Sequence, residues 1–172
     1  MAKNQTQIFH QKSWFSLDTH NYAFVNRYYS TGALGIYKKL KNFLADGKWR
    51  EANEETRIVM LKVAGRSQEG FFQEEDIERF PRQDLETIDR LWRSYSLDRF
   101  GFNIQRYIWQ NVQEDWHEFG DCLKWGYYDE WDNFQWISKE EINFTLNAPE
   151  GHLPAVFPCL TQSKRYSCGM GF

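Results

Sequence analysis

The chain has 172 residues and a mass of 20.7 kDa, which predicts one domain that folds without disulfide or metal staples. Its 21 basic and 24 acidic side chains give a formal charge of −3, which argues against binding to a phosphate backbone, so no nucleic-acid partner is expected. Three cysteines without a CxxC pair, and the lack of an apolar leader, predict a reducing compartment. Because no apolar stretch approaches the ~20 residues that span a bilayer, we expect a soluble protein, with peripheral membrane contact left open.

The first predicted elements are an extension and two helices. Residues 1–32 mix polar side chains and scattered aromatics without a period, which predicts a loosely ordered N-terminal extension. From Ala33, apolar residues at helical spacing predict a helix that ends near Ala45. A second apolar stripe from Trp49 predicts a helix that ends at Gly65, and the short link predicts that the two helices form an antiparallel hairpin.

Four shorter helices are predicted in the middle of the chain from apolar residues at helical spacing. Phe71 and Phe72 precede the first of them and are predicted to be exposed in a loop. Pro81 closes that first helix, and Asp84 is the predicted N-cap of the second. The four helices are expected over residues 74–80, 85–95, 102–112 and 116–123.

The C-terminal third predicts a short helix and a tail. Ser138 and Glu141 stand in capping-box register, which predicts a helix start, and the prolines that follow require a short helix. The residues from Gln162 onward are rich in Ser, Gly and basic side chains and are predicted to form a mobile tail. No alternation of apolar and polar residues is long enough to predict a sheet. We therefore predict an all-α domain over residues 33–172, with about six to eight helices.

The segment from Trp125 to Trp136 is the most informative stretch for function. A helix or strand packed on one core needs a single apolar face, so closely spaced rings separated by acidic and amide residues cannot all turn inward. Some of them are predicted to face a groove or a ligand. Six of the twelve residues are aromatic, namely Trp125, Tyr127, Tyr128, Trp131, Phe134 and Trp136.

Four blocks of sequence together resemble one family. They are LKNFLADGKWREANEET at 40–56, DLETIDRLW at 84–92, RFGFNIQ at 99–105 and APEGHLP at 148–154. In this order they resemble the genomes-uncoupled-four domain family, and the resemblance covers residues 34–154. It implies an all-helical, cupped-hand fold that binds porphyrins. The chain departs from the family pattern at Asn103-Ile104, where a Ser-Val pair is expected, and in its terminal segments.

The resemblance also implies a function. It implies a non-catalytic regulator without an intrinsic cofactor, which binds protoporphyrin IX and Mg-protoporphyrin IX as ligands and stimulates magnesium chelatase in chlorophyll biosynthesis. The implied partner is the large porphyrin-binding subunit of that enzyme. We expect a monomer in the cytoplasm or the plastid stroma.

A porphyrin is a rigid apolar disc with two carboxylates on one edge, so its site needs aromatic walls and cations at the rim. Arg165 is the better predicted carboxylate partner of the basic pair near the C-terminus, because a planar guanidinium pairs with both oxygens. The predicted ligand-binding residues are Phe71, Trp125, Tyr128, Trp131, Phe134 and Trp136 for the walls, and Lys164 and Arg165 for the carboxylates.

Several residues have a structural alternative. Trp125 directly follows a predicted helix, so packing in the core is favoured over contact with a ligand, whereas the ligand role is favoured for the later rings that lie among charges. Gly101 is expected to serve a tight turn or a close approach of helices. His152 is expected to hydrogen-bond backbone in a proline-bounded turn rather than to ligate a metal. Arg99 and Arg106 are expected to cap helices or pair with carboxylates of the scaffold.

No metal site or catalytic site is predicted. A magnesium porphyrin holds its metal by the ring nitrogens, so the protein supplies at most one weak axial ligand. The sequence has no phosphate-binding glycine loop, nucleophile elbow or His-Glu metal motif. Two alternatives stay open: a protein-interaction module that uses the same aromatic cup for a peptide in signalling, and a binder of a linear bilin or of haem.

Overall fold

The computed structural model describes residues 35–156, so the predicted extension at 1–32 and the predicted tail from Gln162 lie outside the described residues. The described part is mostly helical, which confirms the predicted fold class. None of its helices is long and apolar enough to cross a membrane. The elements are α1 Lys38–Ala45, α2 Trp49–Val63, α3 Glu74–Glu78, α4 Arg82–Ser96, α5 Phe102–Asn111, α6 Trp116–Cys122, β1 Gly126–Tyr128, β2 Phe134–Trp136 and a 3-10 turn at Lys139–Glu141.

α1 and α2 follow each other as the predicted helical pair. Residues 35–37 form a turn that buries Tyr37, and the Tyr37 hydroxyl donates a hydrogen bond to Asp84 of α4. The regular turns of α1 begin at Lys38, and the expected start at Ala33 lies outside the described residues. The predicted N-cap of α4 is wrong: α4 starts at Arg82, so Asp84 lies inside its first turn, where its carboxylate accepts the hydrogen bond from Tyr37.

The core is built from aromatic side chains on α2, α4 and the α4–α5 turn. Trp92 of α4 is fully buried, and its indole Nε1 donates to the Thr56 hydroxyl at 2.9 Å. Its ring centroid lies 6.1 Å from that of Trp49 and 6.3 Å from that of Phe100, the second in an edge-to-face arrangement. Such pairs add about 0.5 to 1.5 kcal/mol beyond the area that they bury.

Asp89 of α4 caps the N-terminus of α5. One oxygen of the buried carboxylate accepts from the Asn103 amide at 2.8 Å, and the other accepts from the Asn103 side chain at 2.6 Å. A Cβ at Gly101, where φ is 133°, would lie 2.8 Å from Asp89, so the close helix approach predicted for this glycine is confirmed. The side chain of Asn103, a position that departs from the family pattern, thus gives Asp89 a second hydrogen bond beside that from the Asn103 backbone. Burial raises the pKa of Asp89, and these hydrogen bonds oppose that rise.

Residues 148–156, most of which are buried, form a segment that we call the C-terminal strap. The Gln105 side chain of α5 donates to the carbonyls of Gly151 at 2.8 Å and Pro154 at 3.0 Å. Arg99 Nε donates to a strap carbonyl, that of Ala148, at 2.9 Å, so it serves the scaffold, though through backbone rather than through a carboxylate. At its far end the strap reaches α2, where the Ala155 amide donates to an asparagine side chain. The strap is therefore hydrogen-bonded to both α5 and α2.

Candidate aromatic ligand site

The aromatic segment forms a small antiparallel sheet that the sequence did not predict. Tyr127 pairs with Gln135 and Tyr128 with Phe134. Each strand has three residues, which is too short for an alternation to stand out in the sequence. The signal that could have found it is a polar five-residue turn between two aromatic runs. We call residues 126–136 the aromatic hairpin.

The register of the aromatic hairpin divides its residues between two faces. Tyr128, Phe134 and Trp136 share the inner face, which packs on α6. A Cβ at Gly120 of α6 would lie 2.8 Å from the Trp136 ring, and a Cβ at Gly126 would lie 2.3 Å from the Phe134 ring. These two glycines therefore leave the space that the inner-face rings fill.

A continuous series of ring contacts leads from the core to this inner face. Trp116 of α6 stacks on the buried Phe119 and lies 5.4 Å from Trp136, centroid to centroid. Trp136 lies 4.9 Å from Phe134, and the exposed imidazole of His117 stacks on Phe134 at 4.8 Å and 18°. Phe134 and Trp136 are half-buried. The aromatic surface is thus anchored on one side and accessible on the other.

Asp129 holds the tip of the aromatic hairpin in one conformation. Its carboxylate accepts from the amides of Trp131 at 3.0 Å and Asn133 at 2.9 Å, and from the Gln135 side chain at 3.0 Å. These hydrogen bonds, above all that from the Asn133 backbone, lower the pKa of Asp129. Trp131 is 73 % exposed on this ordered tip. The tip therefore presents the Trp131 indole to solvent in an ordered conformation. A ligand that binds there removes little further conformational entropy from the tip.

Tyr128 ties the aromatic hairpin to an acidic surface. Its hydroxyl donates to Glu118 of α6 at 3.0 Å, and its side chain is half-exposed. Partial desolvation, this hydrogen bond and the negative charges of Glu118, Asp115 and Asp132 raise the pKa of Tyr128 to about 12. The phenol therefore stays protonated throughout the physiological range.

Trp125 lies in the core and does not form a wall of the site. It is 1 % exposed, and its Nε1 donates to the His152 carbonyl at 2.9 Å. Because the ring is enclosed, neither of its faces is accessible to a ligand. Of the two roles considered for Trp125, the structure therefore shows packing in the core.

His152 has both ring nitrogens engaged. Nδ1 bonds the Leu123 carbonyl, and Nε2 accepts from the Asn143 amide at 3.0 Å. This pairing fixes a neutral tautomer that donates from Nδ1. Burial lowers the pKa of His152. The predicted backbone role of His152 is therefore what the structure shows, and neither nitrogen is left for a metal.

The other predicted residues are divided between the described and undescribed parts of the chain. Phe72 is 2 % exposed and packs on Phe80 at 6.0 Å, so its predicted exposure is wrong, because the side chain finishes the core beside α3. Phe71 is half-buried in the α2–α3 loop, and its predicted ligand role stays a prediction. Lys164 and Arg165 lie outside the described residues. The structure brings together Tyr128, Trp131, Phe134 and Trp136 in one hairpin.

Two residues of the site were absent from the predicted set. Tyr127 is 52 % exposed on the outer face of the hairpin, and alternation within the unpredicted strands is the signal that places it there. His117 has no predicted role, whereas in the structure its imidazole extends the ring surface over Phe134. Among the described residues, no group of three or more His, Cys, Asp or Glu side chains is placed to hold a metal ion.

Sequence comparison gives the same family as the four blocks. A model of the GUN4-like family matches residues 32–166. The protein ycf53 of Pyropia yezoensis is 33% identical over 120 residues, which are 69% of this chain and 49% of that protein. The chloroplastic tetrapyrrole-binding protein of Arabidopsis thaliana is 31% identical over 126 residues, which are 69% of this chain and 48% of that protein. The chain thus spans about half the length of these curated relatives.

Structural comparison agrees with the sequence comparison. The ligand-free structure of Arabidopsis thaliana GUN4 superposes with a TM-score of 0.62 at 30% identity, covering 76% of this chain and 85% of that one. The family match extends over most of the chain, and the predicted family is confirmed. The chain belongs to the GUN4-like family, that is, the genomes-uncoupled-four family.

Proposed function

We propose that the chain is a non-catalytic tetrapyrrole-binding protein that takes up protoporphyrin IX and Mg-protoporphyrin IX against the aromatic hairpin. Family membership and the name of the Arabidopsis relative support tetrapyrroles as the ligand class. The observation that carries the proposal is the exposure of Trp131 in the turn of the same hairpin that carries the half-buried rings of Phe134 and Trp136. Large aromatic side chains that stay accessible on an ordered surface mark ligand sites.

The residues of the hairpin fit a flat apolar ring. Trp131 offers ring surface in the turn and Tyr128 at the turn end of β1, and the rings of Phe134 and Trp136, which contact each other, continue it towards α6. When a metal porphyrin is bound, its metal is held by the four ring nitrogens. His152 supplies no axial ligand, because both of its nitrogens are hydrogen-bonded. Lys164 and Arg165 are proposed to pair with the two carboxylates.

The regulatory part of the proposal concerns magnesium chelatase. A porphyrin held against an exposed hairpin keeps one face and one edge free, which permits transfer to another protein. We propose that the chain passes porphyrin to, or receives it from, the large porphyrin-binding subunit of that enzyme, and that it thereby stimulates the enzyme in chlorophyll biosynthesis. This places its action in the plastid stroma or the cytoplasm, wherever that enzyme is found.

A titration tests the binding part of the proposal. Protoporphyrin IX, Mg-protoporphyrin IX, haem and a linear bilin are each added to the full chain while tryptophan fluorescence and the porphyrin absorption band are followed. We expect saturable quenching at one ligand per chain for the two porphyrins, and weaker quenching for the bilin. Saturation by the bilin alone, or no saturation by any of the four, would contradict the proposal.

Matched variants test the site itself. Trp131→Ala removes the exposed indole, and we expect porphyrin affinity to fall by about tenfold, equivalent to ~1.4 kcal/mol. Tyr107→Ala is the control, because Tyr107 is an aromatic residue of α5 that is 65 % exposed outside the hairpin. Arg165→Ala is expected to weaken binding of the free acid more than that of the dimethyl ester. Equal losses for Trp131→Ala and Tyr107→Ala would remove the hairpin from the site.

A further inference from the structure

His117 lies where the first turn of α6 meets the inner-face rings of the aromatic hairpin. Its exposed imidazole stacks on Phe134, with ring centroids 4.8 Å apart and planes inclined by 18°, and lies 6.5 Å from the Trp136 ring. The N-cap of α6 fixes its backbone, because the Asp115 carboxylate accepts from the His117 amide at 2.9 Å. The imidazole is therefore held by a ring contact and a capped helix turn while it stays accessible to solvent.

The ring nitrogens of His117 are available to a ligand. Neither of them forms a hydrogen bond with the residues that the structure describes. The neighbouring polar groups are engaged, since Glu118 accepts from the Tyr128 hydroxyl at 3.0 Å and Asp115 caps the helix. A neutral imidazole with an unengaged nitrogen is a good metal ligand, whereas both nitrogens of His152 are occupied.

The ring planes at this place suit axial ligation of a flat metal porphyrin. An axial ligand lies on the normal through the metal, so the plane of an imidazole ligand must be steep to the porphyrin plane. The Trp136 ring makes an angle of 61° with the His117 imidazole. The Tyr128 ring meets Phe134 edge to face at 77°, and the imidazole is nearly parallel to Phe134. A porphyrin stacked parallel to Trp136 or Tyr128 would therefore be steep to the imidazole.

We infer that His117 supplies the axial ligand to the metal of Mg-protoporphyrin IX and thereby makes the hairpin site prefer the metal porphyrin to free protoporphyrin IX. Because this role deepens the proposed function, it rests on porphyrin binding at the aromatic hairpin. One nitrogen lone pair of the neutral imidazole takes the place on the metal that water otherwise fills, with no change of oxidation state. Free protoporphyrin IX has no metal, so it gains nothing from this nitrogen.

The size of the preference follows from how firmly His117 is held. Magnesium prefers oxygen ligands, so an imidazole competes with water only where it is already in place. Stacking on Phe134 and the cap at Asp115 hold the side chain before the ligand arrives, which reduces the conformational entropy lost on coordination. Both porphyrins share the same aromatic contacts, so the nitrogen adds selectivity to an affinity that those contacts supply. We therefore expect a preference of about five- to tenfold.

A paired titration tests this role. Free protoporphyrin IX and its magnesium and zinc complexes are titrated into the full chain and into His117→Phe, which keeps an aromatic ring over Phe134 but has no nitrogen. Zinc is included because it takes nitrogen ligands readily, and axial nitrogen shifts the porphyrin absorption band to longer wavelength. We expect this shift and tighter binding of both metal porphyrins in the unmodified chain. In His117→Phe the shift and about five- to tenfold of metal-porphyrin affinity should be lost, while free porphyrin binds within about twofold as before.

A second variant and a control make the result specific to one side chain. In His117→Gly, imidazole added to the solution should restore the band shift, which a merely structural role of the side chain would not allow. His10→Gln with His20→Gln removes the two histidines that lie outside the described residues, and this pair should keep the shift. If the pair loses the shift and His117→Phe keeps it, another histidine is the ligand and the inference is overturned.

The outcomes also distinguish this role from the proposed function. If free protoporphyrin IX saturates the chain and Trp131→Ala weakens its binding, yet metal porphyrins show neither a preference nor a band shift, the porphyrin site stands and only the role of His117 is overturned. Equal band shifts in the unmodified chain and in His117→Phe would likewise overturn it. If no porphyrin saturates the chain, the proposed function fails and the role of His117 fails with it.

Discussion

The C-terminal strap and the aromatic hairpin are joined where the Trp125 indole meets the His152 carbonyl, yet their exposures are opposite. In the strap, residues 151–156 are all buried and the polar atoms of His152 are matched to backbone partners. In the hairpin, large rings remain accessible on a tip that a single carboxylate organises. The difference teaches that ring content alone does not mark a ligand site. Satisfied, enclosed groups hold the scaffold, and ordered but uncovered groups are available for binding.

The largest expected effect distinguishes Trp125, which is enclosed in the core, from Trp131, which is exposed on the hairpin tip. Trp125→Ala removes a ring from the core, and the free energy of unfolding should fall by about 3 to 5 kcal/mol. Trp131→Ala removes an exposed ring and should change it by less than ~0.5 kcal/mol. Urea denaturation followed by circular dichroism measures both. Similar losses in the two variants would show that the tip ring is part of the core after all.

The next effect tests how the inner-face rings are seated. In Gly126→Ala, the new methyl group would overlap the Phe134 ring, and the free energy of unfolding should fall by about 1 to 3 kcal/mol. Near-ultraviolet circular dichroism should change, and porphyrin affinity should fall with it. Gly35→Ala is the matched comparison, because neither Gly126 nor Gly35 has a positive φ and a Cβ at Gly35 would meet nothing within 4 Å. If the porphyrin affinity of Gly126→Ala is unchanged, the seating of Phe134 does not matter to the ligand.

A pH effect of intermediate size tests the strap. Because burial lowers the pKa of His152, the unfolded chain takes up a proton at a higher pH than the folded one. Stability should therefore be constant above the ordinary histidine pKa of about 6.5 and fall as pH decreases below it, towards the lowered folded value. His152→Gln should flatten this part of the stability profile. A profile that is equally steep in the variant would assign the titration to another group.

The smallest expected effect concerns the order of the tip. Asp129→Asn weakens the bonds that hold Trp131 and Asn133, so the exchange of these two backbone amides should speed up while global stability stays unchanged. Porphyrin affinity should fall a few-fold, because the tip must then be ordered on binding. Hydrogen exchange followed by NMR measures the first effect. Exchange as slow as in the unmodified chain would show that Asp129 does not hold the tip.

The helical core could be predicted because its signals are local and repeated. α2 and α4 show apolar residues at helical spacing over four turns, and the structure places them within two or three residues of expectation. The start of α1 could not be predicted, since it depends on a contact between Tyr37 and Asp84 that are 47 positions apart. Gly101 was interpreted correctly from its sequence neighbours, although its partner Asp89 was not identified.

The candidate site was only partly predictable. Density of rings singled out residues 125–136, whose ligand role stays a prediction, and the place of Trp125 after a helix favoured the core for that ring, but composition alone does not separate Trp125 from Trp131. What separates them is the hairpin register and the strap, which are set by pairings such as Tyr127 with Gln135 and Trp125 with His152. The organising role of Asp129 was likewise hidden, because a polar run between two aromatic runs indicates a turn but does not say which carboxylate accepts from the amides of that turn.

The most direct test of the proposed function observes the tryptophans individually as a porphyrin binds. In the chain labelled with ¹⁵N at tryptophan, protoporphyrin IX is added and the indole N–H signals are followed, because the ring current of a porphyrin shifts nearby protons strongly. The Trp131 signal is expected to move most and that of Trp136 to follow, while those of Trp125 and Trp92 stay nearly fixed. Large shifts at Trp125 or Trp92 with none at Trp131 would contradict a porphyrin site on the aromatic hairpin.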